Sequence, residues 1–381
     1  MISIGIIGGG IAGLSFANFL YKNNSFKIKI FEKKNIFRNN KSGIQLSSNA
    51  ISILKTIDFN KISQEKFSII KNIQIQDYKL KKMIANFSLD KLNNSSNYIC
   101  LDRDVLINFL LHQINPRVEI SNKEAVSMKD NLIQFSDNSH EFFDYVIVAD
   151  GIFSKIRKNL QKQSFLQSVN AVAFKGIIHN SKKISKENLL LYMGDQKHFV
   201  FYPINATGDF SFTSVFALQN SNLKKEYENL VLNKENLISL SSDANKDILD
   251  IIESASDIYQ WPIYKHTNIF FGEKKSFIIG DAAHGMVPFQ AQGATQSIED
   301  AFYLAKLFDQ KIFQIDKFSK GRLKRVSMVN RRSNFNLYAY HMSNKYLKKI
   351  RNIFIKIICN NKLICNLFFG KIYNYKFKDL T

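Results

Sequence analysis

Residues 1–13, MISIGIIGGGIAG, place three glycines directly after a run of apolar residues. The apolar run is typical of a short buried strand, and the spacing of apolar residues over 11–20 is typical of a helix. Between them, Gly8, Gly10 and Gly13 have the spacing G-x-G-x-x-G. In this motif the first glycine permits a tight turn, the second lets the backbone approach a pyrophosphate, and the third lets helix and strand pack closely. The stretch therefore predicts a dinucleotide site.

A second strand and an acidic residue follow at the positions that such a site requires. Residues 27–31 alternate like a strand, and Glu32 comes next, 19 residues after Gly13. A carboxylate there can accept hydrogen bonds from an adenosine ribose, and the free N–H groups at the helix N-terminus face the phosphates. We predict these cofactor-binding residues: Gly8, Gly10, Ala12, Gly13 and Glu32. They do not by themselves distinguish FAD from NAD.

Residues 277–301, FIIGDAAHGMVPFQAQGATQSIEDA, contain another pattern of strand, turn and helix. Asp281 in the turn can bind a ribityl hydroxyl of a flavin. The predicted helix begins near Gln292, so its N-terminus at Gly293 and Ala294 can face the pyrimidine edge of an isoalloxazine. That edge becomes anionic on reduction and is stabilised by the positive end of a helix dipole. The alternative is an ordinary strand, turn and helix in which the aspartate is an N-cap.

This segment resembles the flavin-binding motif of the FAD-dependent aromatic monooxygenases, the superfamily of para-hydroxybenzoate hydroxylase, and is most similar to the salicylate hydroxylase-like branch. The resemblance covers nearly the whole chain, including GIQLSSNAISIL (43–54), LDRDVLINFLL (101–111) and ADGIFSKIR (149–157). It implies one bound FAD, NADH or NADPH as a co-substrate for hydride transfer, and O₂. The implied reaction moves a hydroxyl group from a flavin hydroperoxide to an electron-rich ring of the salicylate or hydroxybenzoate type.

The resemblance also implies roles for individual residues. The FAD contacts that it implies are Arg103, Asp150, Asp281, Gly293 and Ala294. Pro288 falls on the position beside the flavin ring, and Arg157 belongs to a motif associated with both FAD and NAD(P)H binding. For Arg103 and Arg157, the alternative from the residues alone is a surface salt bridge.

His198 and Tyr202, in QKHFVFYPI (196–204), are the candidates for activating the ring. Residues four apart on a strand point to the same face, so both side chains can enter one pocket. An unperturbed histidine has a pKa of about 6.5, which suits it to accept a phenolic proton, and a tyrosine can donate to the phenolate. The pair resembles the substrate-contacting residues of 3-hydroxybenzoate hydroxylase relatives, and the alternative is simple packing. With Pro288, they are the predicted catalytic residues.

The order of these patterns predicts an α/β fold. We expect a Rossmann-like FAD-binding domain with a mostly parallel sheet, an inserted antiparallel-sheet substrate domain, and a C-terminal helical segment. The predicted FAD-binding domain is discontinuous and comprises residues 1–70, 101–165 and 266–330. The predicted substrate-binding domain comprises 71–100 and 166–265, and the basic helical segment comprises 331–381.

Positive charge is concentrated near the end of the chain. The net charge is +21, and residues 317–381 hold 16 lysines and arginines against one acid, Asp379, a balance of +15. This segment can attract acidic lipid headgroups, nucleotide phosphates or nucleic acid, although no nucleic-acid-binding motif accompanies it. The alternative is a solvated helical surface. The charge predicts peripheral contact with the inner face of a membrane and no specific nucleic acid.

Three cysteines, Cys100, Cys359 and Cys365, match no common zinc spacing, so we predict neither a metal site nor a disulfide framework. The apolar start lacks a basic leader, and no apolar run reaches the length of a membrane span, so a cytoplasmic protein is expected.

An alternative function keeps the flavin but changes the substrate. It is hydroxylation of a lipid-like quinone precursor, or epoxidation, at a membrane surface. The oligomeric state is not predicted.

Overall fold

The structure, a computed structural model, describes residues 1–20, 24–34, 42–92, 97–162, 165–180, 185–218 and 234–377. Its strands are β1 (Ile2–Ile7), β2 (Phe26–Phe31), β3 (Gly43–Leu46), β4 (Phe67–Ile70), β5 (Asn72–Asp77), β6 (Met83–Ser88), β7 (Tyr98–Asp102), β8 (Glu119–Ser121), β9 (Ala125–Lys129), β10 (Leu132–Phe135), β11 (His140–Phe142), β12 (Tyr145–Val148), β13 (Leu166–Ile178), β14 (Asn188–Met193), β15 (Lys197–Pro203), β16 (Phe210–Ala217), β17 (Ser256–His266), β18 (Gly272–Glu273) and β19 (Ser276–Ile278). Its helices are α1 (Ile11–Leu20), α2 (Ser48–Leu54), α3 (Arg103–His112), α4 (Lys155–Gln161), α5 (Lys234–Leu240), α6 (Lys246–Ser254), α7 (Asp281–His284), α8 (Gly293–Asp309), α9 (Ile315–Tyr340), α10 (Lys345–Asn360), α11 (Lys362–Cys365) and α12 (Lys371–Tyr373).

A six-stranded sheet in the order β18-β19-β12-β1-β2-β8 forms the nucleotide-binding part of the molecule. All its pairings are parallel except that of the edge strand β18. The central strand β1 is buried through Ile4 and Ile6, as expected for a parallel strand with helices on its faces. Because β1, β2 and β12 are parallel, their carboxyl ends meet at one edge of the sheet, where the residues after each strand can build a site.

A second sheet has seven strands in the order β17-β13-β16-β15-β14-β5-β6. Its pairings are antiparallel except for β14 with β5, which are parallel. The alternation along β15 separates the two faces of this sheet. Phe199 and Phe201 pack in an apolar cluster with α5 and α6, whereas Val200 and Tyr202 belong to a cluster on the opposite face. Two three-stranded sheets, β3-β7-β4 and β11-β10-β9, complete the described strands.

The C-terminal part is helical. α9 is 26 residues long and is followed by α10, α11, a π-helical turn over Asn366–Gly370, and α12. Among the described helices, none is by itself long and apolar enough to cross a bilayer; residues 345–360 and 362–373 meet both criteria as a pair, with a bend of 101°. The predicted fold class, a Rossmann-like domain with a second sheet and C-terminal helices, is confirmed. The domain boundaries stay a prediction.

Candidate functional site

A cavity of about 450 Å³ lies at the carboxyl ends of β1, β2 and β12. It brings together five of the residues predicted to bind the cofactor: Gly8, Gly10, Glu32, Arg103 and Asp150. These residues come from four separate parts of the chain. Three of those parts directly follow the parallel strands β1, β2 and β12, which end at the same edge of the sheet. This is the place where open α/β sheets bind nucleotides.

The three motif glycines are required for different reasons. Gly8 has φ +108°, and a Cβ there would lie 2.3 Å from the Ala149 carbonyl oxygen. A Cβ on Gly13 would lie 2.0 Å from the Gly8 oxygen, so this glycine allows α1 to approach the turn. At Gly10, no atom of the described residues lies within 4 Å of the Cβ position. Gly10 therefore keeps space open toward the cavity, which fits the pyrophosphate of FAD.

Glu32 holds the glycine turn as well as lining the cavity. Its Oε2 accepts a hydrogen bond from the Gly9 N–H at 2.8 Å, and its Oε1 accepts one from the Lys34 N–H at 3.0 Å. The carboxylate has lone pairs beyond these two contacts, so it can also accept from a ribose hydroxyl. Sequence reasoning gave Gly9 no role because its contact is with a residue 23 positions away.

Asp150 presents a carboxyl oxygen that suits a polar ligand. Its Oδ1 is buried and has no hydrogen-bond partner among the described residues. Burial raises the pKa of Asp150 to about 6, and a hydrogen bond from Ser154 opposes that shift. Buried polar atoms are normally paired, so an unpaired oxygen beside this cavity fits a donor supplied by FAD.

The segment 277–301 meets the glycine turn of residues 8–13 at Gly280. A Cβ on Gly280 would lie 3.0 Å from the Ala12 Cβ, so α1 and the turn after β19 are in close contact. The predicted helix start is confirmed, since α8 begins at Gly293 with Gln292 as its N-cap. A Cβ on Gly293 would be 3.7 Å from Asp281 Oδ1, which places the carboxyl at the helix N-terminus. Ala12, Gly13, Asp281, Gly293 and Ala294 thus form a second group next to the cavity residues.

Arg103 connects the two groups electrostatically. Desolvation by the surrounding protein raises the pKa of the Asp281 carboxyl, and the charges of His284 and Arg103 oppose this rise. Arg103 therefore lines the nucleotide cavity and also contributes to the electrostatics at Asp281.

Arg157 is not the surface salt bridge considered from the residues alone. It is buried, and its guanidinium donates to the carbonyl oxygens of Ala282 at 2.9 Å, Ala283 at 2.7 Å and Asn268 at 3.0 Å. Among the described residues it has no carboxylate partner within ion-pair distance. Burial lowers the pKa of Arg157 to about 10, which leaves it charged at neutral pH. Arg157 therefore holds the end of α7 in place and does not line the nucleotide cavity.

His284 and the helix behind it belong to a buried ionic network. Asp300 accepts hydrogen bonds from His284 Nε2 at 2.6 Å, the Gly280 N–H at 2.8 Å and Arg322 Nε at 2.7 Å. Glu299 pairs with Arg322 and Arg325, each at 2.8 Å. These side chains are at most 2% exposed. The network fixes the turn after β19 to α8 and α9.

The two acids of this network are ionised. Burial alone would raise the pKa of Glu299, but Arg325 and Arg322 hold it below the usual range. The same balance applies to Asp300, whose pKa is held down by His284 and Arg322. A charged Asp300 gives the Gly280 N–H and the His284 ring a strong acceptor, so the flavin turn is positioned by charge-assisted hydrogen bonds.

A second, smaller cavity of about 90 Å³ contains two of the three predicted catalytic residues, His198 and Pro288. Its other walls include Gln45, Tyr98 and Tyr340. We call it the ring cavity. Its mixture of aromatic walls with a few polar groups is typical of a site that orients a small aromatic molecule.

His198 forms a pair with His341. The His198 Nδ1 and His341 Nε2 atoms are 2.8 Å apart, and both residues are buried. Burial and the neighbouring His341 hold the pKa of His198 well below its usual range, and burial lowers that of His341 to about 4. Both rings are therefore neutral at pH 7, and one donates its N–H to the other.

Tyr202 faces the same side of the sheet as His198 but is not part of the ring-cavity wall. Its hydroxyl interacts with Ser211 and Gln45, and burial raises its pKa. Gln45 also accepts a hydrogen bond from the Tyr98 hydroxyl at 2.7 Å. Tyr202 is therefore one residue removed from the cavity, with Gln45 between them.

Sequence reasoning missed most of the ring-cavity wall. His341 lies 143 residues from His198, directly after a helix whose pattern gives no sign of a partner on a strand. Tyr98, Tyr340 and Gln45 look like ordinary core residues in the sequence. Among the described residues, no group of three or more histidine, cysteine or acidic side chains is arranged to hold a metal ion.

Comparisons with known families and proteins agree with this geometry. The family described as "FAD binding domain" matches residues 138–313, and the one described as "NAD(P)-binding Rossmann-like domain" matches residues 6–40. The chain is 25% identical over 364 residues to 3-amino-4-hydroxybenzoate 2-monooxygenase PtnB3 of Streptomyces platensis, covering 92% of this chain and 91% of that protein. It is 22% identical to 6-hydroxynicotinate 3-monooxygenase of Bordetella bronchiseptica, covering 88% and 91% of the two chains.

A solved structure shares the fold over almost the full length. The structure of a salicylate hydroxylase substrate complex superposes with a TM-score of 0.80 and 17% sequence identity, covering 99% of this chain and 96% of the other. At this identity the likeness establishes the shared arrangement of sheets and helices.

Proposed function

Since the chain belongs to the FAD-dependent aromatic monooxygenases, we propose that it uses NADH or NADPH and O₂ to hydroxylate an electron-rich aromatic ring of the salicylate or hydroxybenzoate type. FAD is its cofactor. The bound flavin supplies the redox chemistry and the activation of O₂. The observation that carries the proposal is that His198 and Pro288 meet in one cavity with aromatic walls.

His198 would increase the electron density of the ring. A neutral imidazole can accept a hydrogen bond from a phenolic hydroxyl, which pushes electron density into the ring. Because its pKa is low, His198 is a weak base, so it takes the proton as the ring is attacked and not beforehand. His341 orients the ring of His198 through the 2.8 Å contact.

The other walls would place the ring and exclude water. Tyr98 and Gln45 are hydrogen-bonded to each other, which fixes one side of the cavity. Tyr202 would act on the substrate only through Gln45, as a positioning residue. Pro288 would lie beside the flavin ring, and its rigid backbone would hold that side of the cavity in place.

The proposal is tested by a screen of aromatic acids and phenols with the FAD-loaded protein. A substrate is expected to accelerate NADH or NADPH oxidation and to yield a product heavier by one oxygen atom, measured by mass spectrometry. Comparing the two nicotinamides identifies the electron donor. A purified protein that is colourless and stays without flavin when FAD is added would refute the proposal.

Replacing His198 with Asn should leave FAD bound and lower the yield of hydroxylated product by about 100-fold, the usual contribution of a general base. The matched control is His140→Asn, because His140 is exposed on β11, away from the site. Both variants are compared by flavin absorbance and by product formed per NAD(P)H oxidised. Full coupling in the first variant would remove His198 from the mechanism.

A lipid-like quinone precursor, met at a membrane surface, is a second candidate substrate. One face of α10 favours it: Tyr346, Ile350, Ile353 and Ile357 are spaced as one helical stripe, and each is at least half exposed. Exposed lysines, Lys345, Lys349 and Lys356, lie along the same helix. An outward apolar stripe with lysines beside it is typical of a helix that lies in the interface of an anionic membrane. A second copy of this chain fits less well, because two basic segments would repel each other.

We expect the protein to float with phosphatidylglycerol vesicles at low salt and to do so much less with phosphatidylcholine vesicles. The double variant Tyr346→Glu/Ile353→Glu should weaken binding at least tenfold, because burial of each apolar side chain contributes about 1.5–3 kcal/mol. Phe142→Glu is the control, since Phe142 is also an exposed aromatic residue but lies on β11. Self-association without vesicle binding would contradict the proposed membrane contact.

A further inference from the structure

An apolar cavity of about 350 Å³ lies between α9, α10 and α12 and the strands β5 and β14. Its walls are almost entirely apolar and include Ile75, Phe87, Leu191, Ile355 and Ile358. We call it the C-terminal cavity. No acidic residue is among its described lining residues. The reaction at the ring cavity does not account for this space.

The C-terminal cavity adjoins the ring cavity. The two share the lining residues Ile73, Leu191, Gln290, Tyr340 and Tyr373. Small-molecule sites usually enclose about 300–1,000 Å³, and the ring cavity with about 90 Å³ is well below that range. The adjoining cavity supplies the space that the ring cavity lacks, so a substrate larger than a single ring can extend from one into the other.

Polar groups are placed where the two cavities meet. Gln290 Nε2 donates to the Tyr373 hydroxyl at 3.2 Å, and Asn336 Nδ2 donates to Gln290 Oε1 at 2.7 Å. Beyond this boundary the wall is apolar. A molecule with a polar ring and an apolar chain matches this order of polarity, with the ring on the His198 side.

The two arginines in the wall have partners of their own. Arg351 donates to the Ala339 carbonyl oxygen at 2.7 Å, and its other nitrogens donate to Asn352. The Arg332 guanidinium lies 4.8 Å from the centre of the Phe368 ring, in a cation–π contact. Because both guanidinium groups already have partners, the interior of the C-terminal cavity is suited mainly to a hydrocarbon ligand.

The mouth of the C-terminal cavity opens on the exposed apolar face of α10. Its lining includes Phe335 and Tyr338 of α9 and Ile350 of α10, which are 62%, 72% and 63% exposed. Ile350 also belongs to the stripe described above. A hydrocarbon chain could therefore pass from an apolar phase at this face into the cavity without crossing water.

We propose that the C-terminal cavity binds an unbranched apolar chain attached to the aromatic ring that is hydroxylated. This inference rests on the proposed function for the ring, and it adds the chemical class of the whole substrate, a phenol with a hydrocarbon tail. The cavity acts as the tail site, and its polar boundary with the ring cavity sets the depth at which the ring stops.

Binding of the methyl, butyl and octyl esters of 4-hydroxybenzoate to the FAD-loaded protein tests the proposal, with titration calorimetry as the readout. Each added methylene should lower Kd by about fourfold, because its burial contributes about 0.8 kcal/mol. Ile355→Trp fills the cavity and should abolish this dependence on chain length, while the methyl ester keeps its Kd. Ile350→Trp narrows the exposed mouth and is a second variant with little risk to folding.

Ile353→Trp is the matched control, because Ile353 is on the same helix but outside the cavity wall. It should leave all three Kd values unchanged. Equal Kd values for the three esters, or a dependence on chain length that survives in both cavity variants, would overturn the tail site.

Analysis of the reaction products separates the tail-site proposal from the proposed hydroxylation. Hydroxylation without a chain-length effect overturns only the tail site, and tighter binding of longer esters without hydroxylation overturns only the proposed reaction.

Discussion

Replacing Glu299 with Gln is expected to lower the free energy of unfolding by about 3–5 kcal/mol, the range found when one partner of a buried ion pair is removed. The Glu299 carboxylate is fully buried and accepts from Arg322, Arg325 and the Asn49 side chain. The glutamine has nearly the same shape but no charge. Arg322 would keep only Asp300 as an ionised partner, and the buried Arg325 would lose the carboxylate it pairs with. Urea unfolding of the FAD-free protein, followed by circular dichroism, measures the loss.

The matched control is Asp130→Asn. Asp130 pairs with Lys274 at 3.1 Å, but both side chains are more than two-thirds exposed. Exposed pairs contribute about 0–1 kcal/mol, so this variant should unfold almost like the original protein. If the two variants have the same stability, the network around Glu299 does not support the fold. FAD affinity should also fall in Glu299→Gln, because Asp300 of the same network holds the Gly280 N–H.

Replacing Gly10 with Ala should weaken FAD binding by about 10- to 100-fold without destabilising the FAD-free protein. The added methyl group meets no described atom of the protein within 4 Å, so the fold can accept it. It would occupy the space that the pyrophosphate needs and would displace at least one hydrogen bond to a charged oxygen, a loss of about 1.5–3 kcal/mol. Titration of the apoprotein with FAD, monitored by flavin fluorescence, measures the change.

Two other glycines provide contrasts for this result. Gly13→Ala places a methyl group 2.0 Å from the Gly8 oxygen, so it should destabilise the FAD-free protein itself. Gly370→Ala has no described atom closer than 3.6 Å and lies in the C-terminal helical turn, so it should change neither property. Unchanged FAD affinity in Gly10→Ala would mean that the pyrophosphate does not bind over this residue.

The features predicted from the sequence are those that neighbouring residues determine. The spacing of Gly8, Gly10 and Gly13 specifies a turn between a strand and a helix, and the helix start at Gly293 follows from the turn residues before it. The resemblance to a known family then allowed the bound nucleotide to be predicted as FAD. The fold class predicted a mostly parallel sheet, whereas the order of its strands and the contact at Gly280 come from the structure.

The features that were missed depend on contacts between distant residues. Arg157 and Arg322 look like solvent-exposed charges in a lysine-rich and arginine-rich chain. The carbonyl oxygens that hold Arg157 and the carboxylates that hold Arg322 are all distant in the sequence. The His198 and His341 pair joins a strand of the second sheet to the end of α9. Tyr202 shares a face with His198, as its spacing predicts, but the packing of Gln45 separates it from the ring cavity.

The helical segment Lys371–Tyr373 is built into the site. Arg325 donates to the carbonyl oxygens of Lys371 and Ile372, and Ser48 donates to that of Tyr373. Tyr373 also forms a wall of the ring cavity. Synthesis on the ribosome proceeds from the amino end, so the glycine turn at residues 8–13 leaves the exit tunnel long before Tyr373. A nascent chain therefore cannot complete the ring cavity until the segment that carries Tyr373 has left the exit tunnel.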